Sequence, residues 1–169
     1  VKKRVMKSSS TPPSNLSNLP AVTGFDLTRA RLLTCKNVVP SDSGECVVLH
    51  MNRDQRVADN YALIYAQGIA AQRKLPLKVV FNMAPRYLEA TLRHYSFMIG
   101  GLKEVESTLR SKGIPFYLTT GDPVENVPKF VEEHKAAALV CDFSPLRVPM
   151  GWSTQIASAI DEGNSNAPV

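Results

Sequence analysis

Apolar residues run through this chain in two rhythms. Short runs with little polar alternation occupy residues 46–49 (CVVL), 77–83 (LKVVFNM), 114–120 (IPFYLTT) and 136–143 (AAALVCDF). A strand covered on one face alternates apolar with polar, so these runs predict strands covered on both faces, as in a parallel sheet. Between them the spacing changes to threes and fours. Leu63, Ile64, Ala66, Ile69 and Ala70 form one apolar stripe and predict a helix over 59–74. Leu88, Leu92, Tyr95, Ile99, Leu102, Val105 and Leu109 form another and predict a long helix over 86–112, closed by Gly113. Asp122 followed by Pro123 marks the start of a third helix with Val124, Val127, Phe130 and Val131 on its inner side, and a fourth is predicted over 149–160. Strand and helix thus alternate four times. Right-handed crossovers then give an α/β fold, a Rossmann-like, doubly wound parallel sheet with helices on both faces.

Such sheets bind ligands in the crevice outside the carboxyl ends of their strands. Two loops leave those ends loaded with polar groups: MNRDQRVADN after the first strand and DFSPLRVP after the fourth. If the two strands are neighbours, Asn52, Arg53 and Arg56 face Asp142, Phe143 and Ser144. Each residue type has a use there. An aromatic ring stacks on a planar ligand, a carboxylate accepts from a ring N–H or a hydroxyl, and the helix start near Asn60 offers unpaired backbone donors. Arg53, Asp54, Arg56 and Asp59 equally suit an ion-pair network that fixes the loop, and Asp59 suits a helix cap better than an acid catalyst.

The charge of +5 and pI near 9.2 point towards nucleic acid until they are located. Residues 1–36 hold seven Lys or Arg against one Asp, whereas the remainder holds thirteen against fourteen acidic residues. The part expected to fold is therefore near neutral, which removes a whole-domain electrostatic case for DNA. Residues 1–24 are rich in Ser, Pro, Asn and Lys and are expected to be disordered; FDLTRARLLTCK, over 25–36, predicts a short amphipathic helix with Asp26 or Thr28 near its start. The division expected is a basic tail over 1–36, one α/β domain over 37–162 and a tail over 163–169. Lys2, Lys3 and Arg4 fit either part of a nuclear-import signal or a solvated tail.

Cys35, Cys46 and Cys141 are odd in number and lack metal-ligand spacing, so Cys46 and Cys141 read as core thiols of a reducing compartment, nuclear or cytoplasmic. No apolar run approaches the roughly 20 residues that span a bilayer. His50 reads as a buried imidazole at a strand end, His94 and His134 as helix residues, and no metal site is expected. The phosphate-loop, dinucleotide and nucleophile-elbow motifs are missing, as is any Ser, His and acid set that spacing alone would unite. Residue by residue, the chain has a binding crevice and no reaction centre.

The two loops also carry a resemblance. RDQRVADN, over 53–60, fits the RDxRxxDN pattern of the photolyase and cryptochrome family. MNRDQRVADNYALIYAQ, FMIGGLKEVESTLRSKGIPFYL and DFSPLRVPMGW resemble class II cyclobutane pyrimidine dimer photolyases, in register over about 45–155. The resemblance implies an amino-terminal α/β domain holding an antenna pigment of deazaflavin or folate type. It places FAD in a larger helical domain that flips the dimer out of damaged DNA and splits it by electron transfer. It carries over Met51, Asn52, Arg53, Asp142, Phe143 and Ser144 as antenna-crevice positions and no catalytic residue, since the flavin pocket and electron-transfer tryptophans have no counterpart here and Trp152 is the only tryptophan. The chain is then expected to be a fragment that does not repair DNA alone. The alternative is a stand-alone module that binds a nucleotide or a protein partner.

Overall fold

The computed structural model describes residues 19–34 and 40–163. The four apolar runs form β1 (Cys46–Met51), β2 (Leu77–Met83), β3 (Phe116–Thr120) and β4 (Ala136–Cys141). All pair in parallel, in the order β3-β2-β1-β4. The chain steps outward from β1 to β3 and then returns to lie beside β1, which makes the β1/β4 boundary the point where the winding reverses.

The helices are α1 (Tyr61–Arg73), α2 (Leu92–Ser111), α3 (Pro123–Glu133) and α4 (Arg147–Glu162). Successive side chains of β1 point to opposite faces, and both faces are covered. Val47, Leu49 and Met51 meet Leu63, Ala66 and Ile69 of α1 and Leu102, Val105 and Leu109 of α2. Cys46 and Val48 meet Val127, Phe130 and Val131 of α3 and Ile156 and Ile160 of α4. Every residue of β1 is buried, which is why the run carries no polar alternation.

Local chemistry sets the helix ends. Asp122 accepts from the Val124 N–H at 2.9 Å and Pro123 opens α3, as its sequence predicts. At α1 the cap is Asn60, whose Oδ1 accepts from the Leu63 N–H at 2.9 Å; Asp59 lies one residue outside, in the left-handed region at φ 52°. The expectation of an Asp59 cap is corrected accordingly. The helix expected from 86 begins at Leu92. Leu88 sits at φ 47° in a turn closed by the Ala90 N–H to the Tyr87 carbonyl, and Thr91 is extended, so residues 86–91 leave the helical path despite their matching periodicity. Gly113, at φ 72°, follows the end of α2 in a conformation that a side chain disfavours.

Two expectations about the amino-terminal segment also change. Of the helix expected over 25–36, the described part, 25–34, holds only a single 3-10 turn, Leu27–Arg29, capped by Asp26, because Ala30 is already extended. Residues 19–24, expected to be disordered, pack as a strap on α1: the Tyr65 hydroxyl donates to the Pro20 carbonyl at 3.1 Å, Gln72 donates to the Ala21 carbonyl, and Phe25 lies 4.7 Å from the Tyr65 ring. Val22 crosses over Gly68, where a Cβ would collide with its side chain. Residues 1–18, Cys35 and the 164–169 tail lie outside the described residues.

Candidate functional site

β1 and β4 pair side by side, with His50 opposite Cys141, so the loops that leave them meet at one edge of the sheet. The Asp142 carboxylate joins them. Its Oδ2 accepts from the backbone N–H groups of Asn52 at 3.1 Å, Arg53 at 2.7 Å and Asp54 at 2.7 Å. Burial raises the Asp142 carboxyl above its ordinary value, and the three N–H donors oppose that rise. Asn60 holds the same loop from behind: its Nδ2 donates to the carbonyls of Asp54 at 2.9 Å and Arg56 at 3.0 Å while its Oδ1 caps α1. One carboxylate and one amide therefore template the turn between β1 and α1.

The expected ion-pair network is reduced to a single long contact, Arg56 to Asp54 at 3.9 Å, between exposed side chains. Arg56 also donates to the Asp59 carbonyl at 3.3 Å. Arg53 is exposed and enters no ion pair among the described residues. Its backbone is fixed by Asp142 while its guanidinium remains available.

The six sequence-derived positions separate in space. Met51 is fully buried in the core beneath α1 and α2. Asn52, Arg53 and Ser144 line a groove of about 980 Å³ at the carboxyl edge of β1 and β2, bounded by α2 and the start of α4. Phe143 turns away from it: it is 62% exposed, has the Arg31 guanidinium 5.7 Å from its ring, and lines a second cavity of about 610 Å³ beneath the strap. Asp142 and Arg53 also border that second cavity.

The larger groove is mostly aromatic and apolar beyond its polar loop. Phe81 and Met83 come from β2, Tyr95 and Met98 from α2, and Tyr87 and Trp152 close one end with ring centroids 5.7 Å apart. The Tyr95 hydroxyl donates to the Ala84 carbonyl at 2.8 Å, which ties α2 to the end of β2. Leu88, Phe97 and Leu146 stand on the rim, 67%, 87% and 57% exposed. Sequence reasoning missed Tyr87 and Trp152 as lining residues. The signal available was aromatic residues in the two segments next to strand ends, but only the turn at 87–90 and the early start of α4 bring them together.

His50 is 2% exposed, and burial lowers its pKa to about 4, so the ring is neutral; its Nδ1 lies 3.9 Å from the Cys141 Sγ. Burial likewise raises the Cys141 thiol to about 12. Neither supplies a nucleophile or a proton at neutral pH, in agreement with their reading as packing residues. His94 accepts from the Thr91 N–H at the start of α2, and His134 stacks on Phe130 at 3.9 Å. Among the described residues no group of three or more His, Cys, Asp or Glu could hold a metal ion, and no helix is long and apolar enough to cross a membrane.

A parallel sheet whose winding reverses between β1 and β4 defines a Rossmann-like α/β domain. The model of the DNA photolyase family matches residues 47–167, and the chain belongs to that family. A deoxyribodipyrimidine photo-lyase of Potorous tridactylus is 40% identical over 148 residues, covering 87% of this chain and 28% of the relative. Another, of Arabidopsis thaliana, is 46% identical over 101 residues, covering 60% and 20%. The chain thus spans between about a fifth and somewhat over a quarter of the length of these relatives. Among solved structures, a cryptochrome of Synechocystis sp. PCC6803 superposes with a TM-score of 0.58 at 16% identity, covering 72% of this chain and 25% of that one, a likeness of fold.

Proposed function

We propose that this chain is the amino-terminal antenna domain of a class II photolyase, and that it holds a deazaflavin- or folate-type pigment in the groove between α2, α4 and the β1–α1 loop. The observation that carries the proposal is the groove: about 980 Å³, aromatic along its floor and end, with one polar wall at the carboxyl edge of a parallel sheet. That volume falls in the range of small-molecule sites, and an apolar cleft with a few placed polar groups is what a planar pigment needs. Asn52, Arg53 and Ser144 line it directly, and Asp142 shapes the loop that presents two of them. Met51 lies in the core outside the groove, and Phe143 lines the second cavity instead.

The class II assignment rests on the resemblance of MNRDQRVADNYALIYAQ and DFSPLRVPMGW, which include the polar wall and its Asp142 anchor. In this reading the light-dependent repair of pyrimidine dimers, FAD and contact with damaged DNA belong to a helical flavin-binding domain, the partner of this one, and these 169 residues do not catalyse repair alone. The site of the proposed pigment would be held by stacking and by the loop's polar groups. The test is titration of the purified chain with a deazaflavin and, separately, with a folate, followed by absorption and fluorescence. Saturable binding of one of them, weakened by Asp142→Ala, is expected. Failure of both to bind at high micromolar concentration would reject the antenna role and favour a module that binds a protein partner.

A further inference from the structure

No described residue covers the outer face of α2. Leu102, Val105 and Leu109 turn inward, and on the opposite side Arg93, Ser96, Phe97, Gly100, Gly101 and Glu104 are all exposed. Residues 93, 97, 100 and 104 follow the three- and four-residue spacing that sets them on one stripe, and the Phe97 ring at its centre is 87% exposed. A Cβ added at Gly100 or Gly101 would meet nothing within 4 Å, so the backbone beside that ring is bare. Arg93 and Glu104 enter no ion pair among the described residues, whereas the neighbouring Glu106 is taken by Arg110. Arg93 also stands in the first turn of α2, where the helix dipole disfavours a cation, so its charge does not serve its own helix.

The stripe is its own complement. Arg93 precedes Phe97 by four residues, and Glu104 follows Gly100 by four. Two α2 helices laid antiparallel about a twofold axis between Met98 and Ile99 bring each Phe97 onto the partner's Gly100, and the same register brings each Arg93 to the partner's Glu104. We infer that this face pairs with α2 of a second copy of the chain, with Phe97 packed on bare glycine backbone and two Arg93–Glu104 pairs fixing the register. Parallel pairing would instead set Arg93 against Arg93. The apolar contact supplies the attraction and the charges supply the direction. Contact along one helix face falls below the roughly 1,200 Å² of a standard interface, so the association is weak, with a Kd on the order of 100 μM. It does not depend on a ligand in the groove.

Sedimentation equilibrium of the whole chain, taken up to about 1 mM, should show a monomer–dimer equilibrium. Gly100→Gln tests the seam without threatening the fold, because the new side chain meets no atom of its own chain and replaces a glycine within a helix. It should weaken pairing at least about tenfold, as should Phe97→Ser, with circular dichroism checking that each variant is folded. Arg93→Glu and Glu104→Arg each set two like-charge pairs across the seam and should each weaken pairing about tenfold at low salt. An equimolar mixture of these two variants should regain it, since each chain then supplies the charge that the other lacks. A chain that stays monomeric throughout would overturn the inference and leave the face to a different protein. Pairing that Gly100→Gln and Phe97→Ser leave unchanged would overturn it too, as would a mixture that pairs no better than its components.

Discussion

The groove has two walls of opposite character. The β1–α1 loop is polar and held from within: Asp142 and Asn60 together accept from or donate to six backbone groups across residues 52–63. The facing wall, formed by the 87–90 turn and the first half of α2, is apolar and open, with Leu92 and Phe97 more than 80% exposed although the second half of the same helix buries Leu102, Val105 and Leu109. A polar wall whose hydrogen bonds are satisfied internally is rigid and presents only its unpaired groups, here Arg53. An apolar wall that no described residue covers marks a surface suited to being covered. The first wall therefore determines geometry, and the second determines what kind of contact remains to be made.

The contrast can be broken most strongly from beneath. Leu109, on the inner face of α2, is fully buried, and Leu109→Ala should destabilise the fold by roughly 3–4 kcal/mol through lost burial and the cavity left behind, read by urea unfolding. Next comes the anchor of the polar wall. Asp142→Ala leaves three backbone donors without their acceptor and should cost about 3 kcal/mol, with a weakened pigment titration; Asp142→Asn, which keeps an oxygen but not the charge, should cost less.

Acid probes the strand just below that wall. His50 has a pKa of about 4 in the folded chain against 6.5 for the free imidazole, so below pH 6.5 the unfolded chain takes up the proton and the folded chain does not. Stability is then lost as pH falls from 6.5 towards 4, by about 2–3 kcal/mol in all, and is unchanged by this group above pH 7. Urea midpoints at pH 7 and pH 4.5 should differ less in His50→Gln than in the unaltered chain. The smallest effect belongs to the open wall. Phe97→Ser should shift stability by less than about 0.5 kcal/mol, because Phe97 is 87% exposed, while reducing self-association seen by light scattering. A large loss of stability on that substitution would mean that the rim is already packed, and the contrast between the walls would fail.

Much of this was legible in the residues themselves. Covered strands have to be apolar on both faces, so CVVL and AAALVC declare a parallel sheet, and Asp-Pro at 122–123 declares a helix start, because these are rules of backbone hydrogen bonding and solvent exclusion that act over a few residues. The family motif likewise lies in one loop. The apolar spacing of residues 86–112 could say that a stripe exists, but not that Leu88 adopts a left-handed conformation or that only the last three of its residues are buried. The sequence also marked Asp142 as polar and near the crevice without showing that its carboxylate binds the opposite loop rather than open space. That outcome depends on β4 returning to lie beside β1, and the meeting of Tyr87 with Trp152 depends on where two helices begin relative to the sheet. The sequence by itself determined the elements, their alternation and the family; the tertiary structure decided which polar groups satisfy one another and which remain for a ligand, because a hydrogen bond across some 90 residues of chain exists only once the sheet has closed.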